Sequence, residues 1–153
     1  MTFSILDTME VQHVPKIDWL TLKDDLKSYQ SCDPEELVHE LVHVYLCSGQ
    51  EAFKFVGSQH VVADLIKAKY KTETGRNRTE IKTSAITFLV LQPLGQTDLN
   101  TVISNMHSNI NYADPKEADQ KFYSYIADKK LIRIAKKIHI HIVNNYEEKI
   151  ITK

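Results

Sequence analysis

Cysteine is scarce in this chain. Cys32 and Cys47 are the only two among 153 residues, too few for a disulfide framework, so a reducing, intracellular setting, cytoplasmic or nuclear, is expected. Glycine is almost as rare: the four glycines stand far apart, which excludes a glycine-rich phosphate loop and a nucleophile elbow. No stretch approaches the run of about 18 apolar residues that a membrane span needs, so no membrane partner is expected. The start of the chain, MTFSILDTMEVQHVPK, carries acids and a histidine where a secretory signal would have a basic start and an unbroken apolar run. Excess charge is lacking too. At a net charge of −1 the molecule as a whole is no electrostatic nucleic-acid binder, and any anion site has to be a local patch.

With 42% apolar and 25% charged residues, the sequence reads as a single globular domain over residues 1–153. Apolar spacing predicts a mainly α fold of about six or seven helices, with short strands admitted near 3–14 and 137–143. Trp19, Leu22 and Leu26 mark a helix from Asp18 to about Ser31. Further helices are expected after Gly49 with Ala52, Phe53 and Val56 on one side until Gly57 interrupts, over 58–70 with Val61, Leu65 and Ile66, from Thr97 or Asp98 with Leu99, Val102, Ile103 and Met106 inward, and from Asp114-Pro115-Lys116-Glu117 with Ala118, Phe122, Tyr125 and Ile126. The apolar run at 83–92, stopped by Pro93 and Gly95, fits a buried helix or strand, and its helical neighbours favour helix. In the last segment, Leu131, Ile134, Ala135, Ile138 and Ile142 form a helix stripe, while Ile138, Ile140 and Ile142 alternating with His139 and His141 fit a strand; the segment is expected to be helical, with a strand admitted at 137–143.

One stretch nominates a chemistry. Asp33 to Gly49, DPEELVHELVHVYLCSG, opens with an acid, a proline and two glutamates, which together start a helix well. It contains His39-Glu40-Leu41-Val42-His43, the pattern in which two imidazoles one turn apart bind zinc and the glutamate between them serves as general base. On a helical projection Leu37, Val38, Leu41, Val42, Val44 and Tyr45 form an apolar face, and Glu36, His39, Glu40, His43 and Cys47 share the other. The same arrangement describes a solvated polar face. A third zinc ligand is needed, and the following stretch offers His60, Asp64 and Glu73, none of them in a recognisable motif. His139 and His141 would share a face only in a strand, His13, His60 and His107 are isolated, and Cys47 fits a small hydrophobe near a helix end.

The most basic segment lies at 67–82, where Lys67, Lys69, Lys71, Arg76, Arg78 and Lys82 outnumber Glu73 and Glu80. Gly75 and its polar neighbours predict an exposed loop there, and the sequon Asn77-Arg78-Thr79 reads as a chance match. Cations beside Tyr70 suit a single-stranded RNA, whose phosphates they would neutralise while the ring stacks on a base. The order DPEELVHELVHVYLCSGQEAFKF, then TETGRNRT, then an apolar run, over residues 33–92, resembles the RNA-binding domain of the phosphorylated adaptor for RNA export. That resemblance implies a small helical domain that binds single-stranded RNA, with Arg76, Arg78 and Thr79 on the basic motif. The paired glycine that follows the motif in that family is replaced here by Glu80-Ile81-Lys82-Thr83. The leading expectation is therefore a non-enzymatic helical protein that binds single-stranded RNA through Lys67, Lys69, Tyr70, Lys71, Arg76, Arg78 and Lys82, with no cofactor. Two alternatives stand beside it: a small zinc metallopeptidase using His39, Glu40 and His43, and an adaptor or inhibitor that binds another protein.

Overall fold

The structure is a computed structural model and describes residues 14–26, 33–49, 73–110 and 115–148. The fold is mainly α. Six helices are present among the described residues: α1 (Trp19–Leu26), α2 (Pro34–Ser48), α3 (Glu73–Leu91), α4 (Leu99–Asn109), α5 (Pro115–Ile126) and α6 (Lys129–Tyr146). None of them is long and apolar enough to cross a membrane. The expected helices between 50 and 72, and the strand near 3–14 save for Val14, lie outside the described residues.

Helix α3 organises the rest, because it packs against α2, α4, α5 and α6. Its sequence presents three faces instead of the usual two. Ile81, Ala85 and Phe88, spaced four and three apart, enter a cluster with Val102, Met106, Ala118 and Phe122. Ile86, Val90 and Leu91 enter a second cluster with Leu22, Leu37, Leu41, Ile138 and Ile142. The third face is polar and still buried, with Asn77, Glu80, Ser84 and Thr87 at helical spacing. Thr83 and Thr87 satisfy their hydroxyls locally by donating to the carbonyls of Thr79 and Thr83, each at 2.7 Å.

Start and stop chemistry follows the sequence. Pro34 opens α2 with Glu35 and Glu36 in its first turn, although Asp33 acts at the cap position without a side-chain cap bond. Gly49, at φ 61°, ends it in a backbone conformation that favours glycine. Asp98 caps α4 by accepting from the Thr101 N–H at 2.8 Å, and Asp128 caps α6 by accepting from the N–H groups of Lys130 and Leu131. A 3₁₀ turn at Gln92–Leu94, with Pro93 inside it and Gly95 at φ 68°, separates α3 from α4. Glu35 reaches across to accept from Asn105, which ties the start of α2 to α4.

Residues 16–18, before α1, are clasped to residues 146–148, at the end of α6. Ile17 and Glu147 form an isolated antiparallel bridge, with the Asp18 N–H donating to the Tyr146 carbonyl and the Glu148 N–H to the Lys16 carbonyl. The Tyr146 hydroxyl donates to Asp25 at 2.6 Å, joining α6 to α1.

Two expectations are corrected. Residues 73–82 are helical, Gly75 included, because α3 is held on several sides by tertiary packing that outweighs one glycine's helix cost of about 1 kcal/mol. The strand admitted at 137–143 is instead part of α6. There Ile138 and Ile142 are fully buried while Ile140 between them is 55% exposed, a periodicity of four that no strand produces. The helix favoured for 83–92 stands as far as Leu91.

This difference is measurable. Ile138→Ala should cost about 2–5 kcal/mol in urea unfolding, whereas Ile140→Ala should stay within about 0.5 kcal/mol. Equal costs at both positions would favour the alternating arrangement. A second expectation concerns pH. Burial, the hydrogen bond to Asp25 and that carboxylate's charge together push the Tyr146 phenol above its usual value. A group whose folded pKa is raised contributes its stability below the unfolded value and loses it as pH rises. The thermal midpoint should therefore fall as pH climbs above about 10, and less steeply in Tyr146→Phe.

Candidate metal centre

Spacing brings the two histidines of α2 together. One helical turn apart, His39 and His43 project from the same face, and their Nε2 atoms lie 3.1 Å from each other with the rings edge to face. The opposite face, with Leu37, Val38, Leu41 and Val42, is fully buried in the core as the projection predicts. The histidine face is not solvated either. It lies against α3, so that His43 is only 6% exposed and the side chain of His39 18%.

From α3, Glu80 meets both imidazoles. One carboxylate oxygen is 3.1 Å from His39 Nε2 and the other 3.0 Å from His43 Nε2. Burial alone would push this carboxyl up, but the hydrogen bonds from His39 and His43 and the positive charge of their imidazoles outweigh it and hold Glu80 far below the usual carboxylate range. An ionised glutamate is thus retained with its side chain only 10% exposed.

Protons alone leave one close contact among these three groups. With Glu80 ionised, both imidazoles should present N–H to it, which sets two N–H groups against each other across 3.1 Å. If one Nε2 is instead a lone pair accepting from the other ring, that lone pair faces a carboxylate oxygen. A single cation shared by the three lone pairs removes the conflict. Donor atoms bound tetrahedrally to zinc at about 2.0–2.2 Å are about 3.3–3.6 Å apart; here the two imidazole nitrogens are 3.1 Å apart and each faces its own oxygen of Glu80 at 3.0–3.1 Å, so the groups already lie close to the spacing a shared cation needs. Two imidazoles and one carboxylate are also a zinc donor set that leaves a fourth position open. Among the described residues, His39, His43 and Glu80 are the one cluster whose ligand atoms converge in this way.

Glu40 follows His39 on the same helix and is half-buried. The other candidates are placed elsewhere. His60 and Asp64 lie outside the described residues, and Glu73 begins α3 almost two turns before Glu80. On α6, His139 and His141 point in different directions: the first approaches the Val90 carbonyl at 3.4 Å, and the second contacts Asn145 and the Tyr146 ring. His107 pairs with Asp119 at 2.7 Å and joins α4 to α5.

Glu80 is the residue that reasoning from sequence missed. A loop assigned to 67–82 left it as one acid in a basic run. Read as a helix, the same residues put Glu80 in register with Asn77, Ser84 and Thr87, a buried polar stripe. Of the expected RNA contacts, Lys67, Lys69, Tyr70 and Lys71 lie outside the described residues and Arg76 falls in the first turn of α3. Arg78 is exposed, Thr79 is half-buried, and the Lys82 ammonium sits 5.7 Å above the Tyr125 ring. No family model, no curated protein and no solved structure matches the chain.

In the metal-free protein, Glu80→Ala should lower unfolding stability by about 1–3 kcal/mol, because it leaves two buried imidazoles facing one another. Glu40→Ala should cost less. Denaturation in the presence of a chelator compares them, and equal costs would contradict the central position given to Glu80.

Proposed function

We propose that this protein is a zinc-dependent hydrolase of peptide bonds, with His39, His43 and Glu80 as metal ligands and Glu40 as general base. The observation that carries this reading is the meeting of Glu80 with both imidazoles of the His39–His43 pair. A bare sequence pattern of two histidines and a glutamate is short. A buried third ligand from a separate helix, 37 residues beyond His43, is an independent requirement that the pattern does not itself supply.

Zinc, when bound, supplies Lewis acidity that lowers the pKa of water and polarises a carbonyl. The chain's own residues do the rest. His39 and His43 are held by the rigid turn between them, and Glu80 by the packing of α3, so the donor atoms are positioned before any ligand arrives. Glu40 removes a proton from the attacking water as its oxygen bonds to the carbonyl carbon. It then returns that proton to the amine nitrogen as the carbon–nitrogen bond breaks. The carboxylate of Glu80 offsets part of the cation's charge, and the buried surroundings of His43 and Glu80 exclude bulk water from one side of the site.

Protein purified without a histidine tag and loaded with zinc should hold one ion per chain by elemental analysis. His43→Ala and Glu80→Ala should lose it. Glu40→Gln should keep both fold and zinc while cutting peptide hydrolysis by about 10²–10⁴-fold, measured with a quenched fluorescent peptide library. A wild-type protein that takes up no zinc, or a Glu40→Gln variant as active as wild type, would remove this reading.

A further inference from the structure

Helix α6 carries Lys129, Lys130, Arg133, Lys136 and Lys137, five of the chain's 19 basic residues, and none of its 20 acids. Their spacing of three and four puts all five on one side, and all five are exposed. They span eight residue steps, about 12 Å of helix axis. None of them makes an ion pair among the described residues.

This arrangement opposes the stability of the free protein. Lys129 with Arg133 and Arg133 with Lys137 are like charges four apart, and Lys130, Arg133 and Lys136 repel at spacings of three. Lys129 and Lys130 occupy the first turn, where the helix dipole favours acids. A rule broken repeatedly along one face, in a protein with acids to spare, marks a surface shaped by something outside the fold.

We infer that the exposed face of α6 is a docking surface for the phosphate backbone of nucleic acid. Its linear charge density, about one cation per 2–3 Å, approaches the one phosphate per about 1.7 Å of a duplex. An anionic membrane fits less well, because the apolar side of α6, with Leu131, Ala135, Ile138 and Ile142, is committed to the core and leaves Ile140 as the helix's one exposed large apolar residue to insert into lipid. A protein partner fits less well too. The five cations have no apolar anchor among them, since the exposed Ile140 stands beyond the last, and stable protein interfaces are built around such anchors. Backbone phosphates require only the charge. This surface differs from the 67–82 segment and does not depend on the metal centre.

The test uses the full chain and a fluorescein-labelled oligonucleotide, single-stranded or duplex, with anisotropy read across about 50–200 mM salt. Wild type should bind one or both forms, and the combined Arg133→Gln, Lys136→Gln, Lys137→Gln variant should bind at least about tenfold more weakly at about 100 mM salt. The slope of log affinity against log salt should flatten by about 2–3, the amount expected for three lost phosphate contacts. The variant's thermal midpoint should equal or exceed that of wild type, because self-repulsion is relieved. The inference is overturned if wild type fails to bind at low salt, or if the variant binds with unchanged affinity and slope. It is equally overturned if Arg76→Ala with Arg78→Ala abolishes binding that the α6 variant retains, or if polyglutamate competes as well as an oligonucleotide of equal charge.

Discussion

A buried, ionised glutamate is the constraint on which this structure turns. Glu80 sits where α2 packs against α3, and two imidazoles meet its carboxylate there, one at each oxygen, which offsets the cost of burying the charge. The contact acts in both directions. It fixes the rotation of α2 about its own axis, so that Leu37 and Leu41 face the core, and it fixes the rotation of α3, so that Ile86 and Val90 reach the same cluster. A turn of either helix by one residue would bury an unpaired charge and expose apolar surface together. The polar group therefore contributes specificity of packing.

The outer helices complete a frame around this crossing. On one side of α3, Phe88 and Ile81 pack with Met106 and Phe122 from α4 and α5; on another, Val90 packs into the cluster that contains Ile138 and Ile142 of α6. Partly buried Leu89 and Tyr125 pack against both clusters and connect them. Such a frame holds the donor atoms of a proposed zinc centre on rigid helices, where displacements of a fraction of an ångström matter. On the far side of α6 stand five exposed cations that make no ion pair among the described residues.

Helix positions were largely legible because apolar residues at spacings of three and four are a strong signal, and Pro34, Asp98 and Pro115 mark starts that the fold obeys. The imidazole pair was legible for the same reason, since four residues along a helix return to one face. Glu80 was not. Its helix opens Glu73-Thr74-Gly75-Arg76-Asn77-Arg78, which reads locally as a loop, while the helix as a whole packs against four others. Long-range packing of this kind leaves little trace in a short window. The alternation at 138–142 failed differently: isoleucine at every second position satisfies a strand rule, yet Ile140 is simply an exposed apolar residue on a helix whose core positions are 138 and 142.

That Glu80 joins His39 and His43 in holding a metal is tested most directly by X-ray absorption at the zinc edge of the metal-loaded protein. The expected spectrum has only nitrogen and oxygen donors at about 2.0–2.2 Å, with the outer-shell scattering of two imidazole rings, and one ring's worth after His43→Ala. A sulfur donor at about 2.3 Å, or the full pattern persisting in Glu80→Ala and His43→Ala, would place the metal elsewhere and contradict the proposed centre.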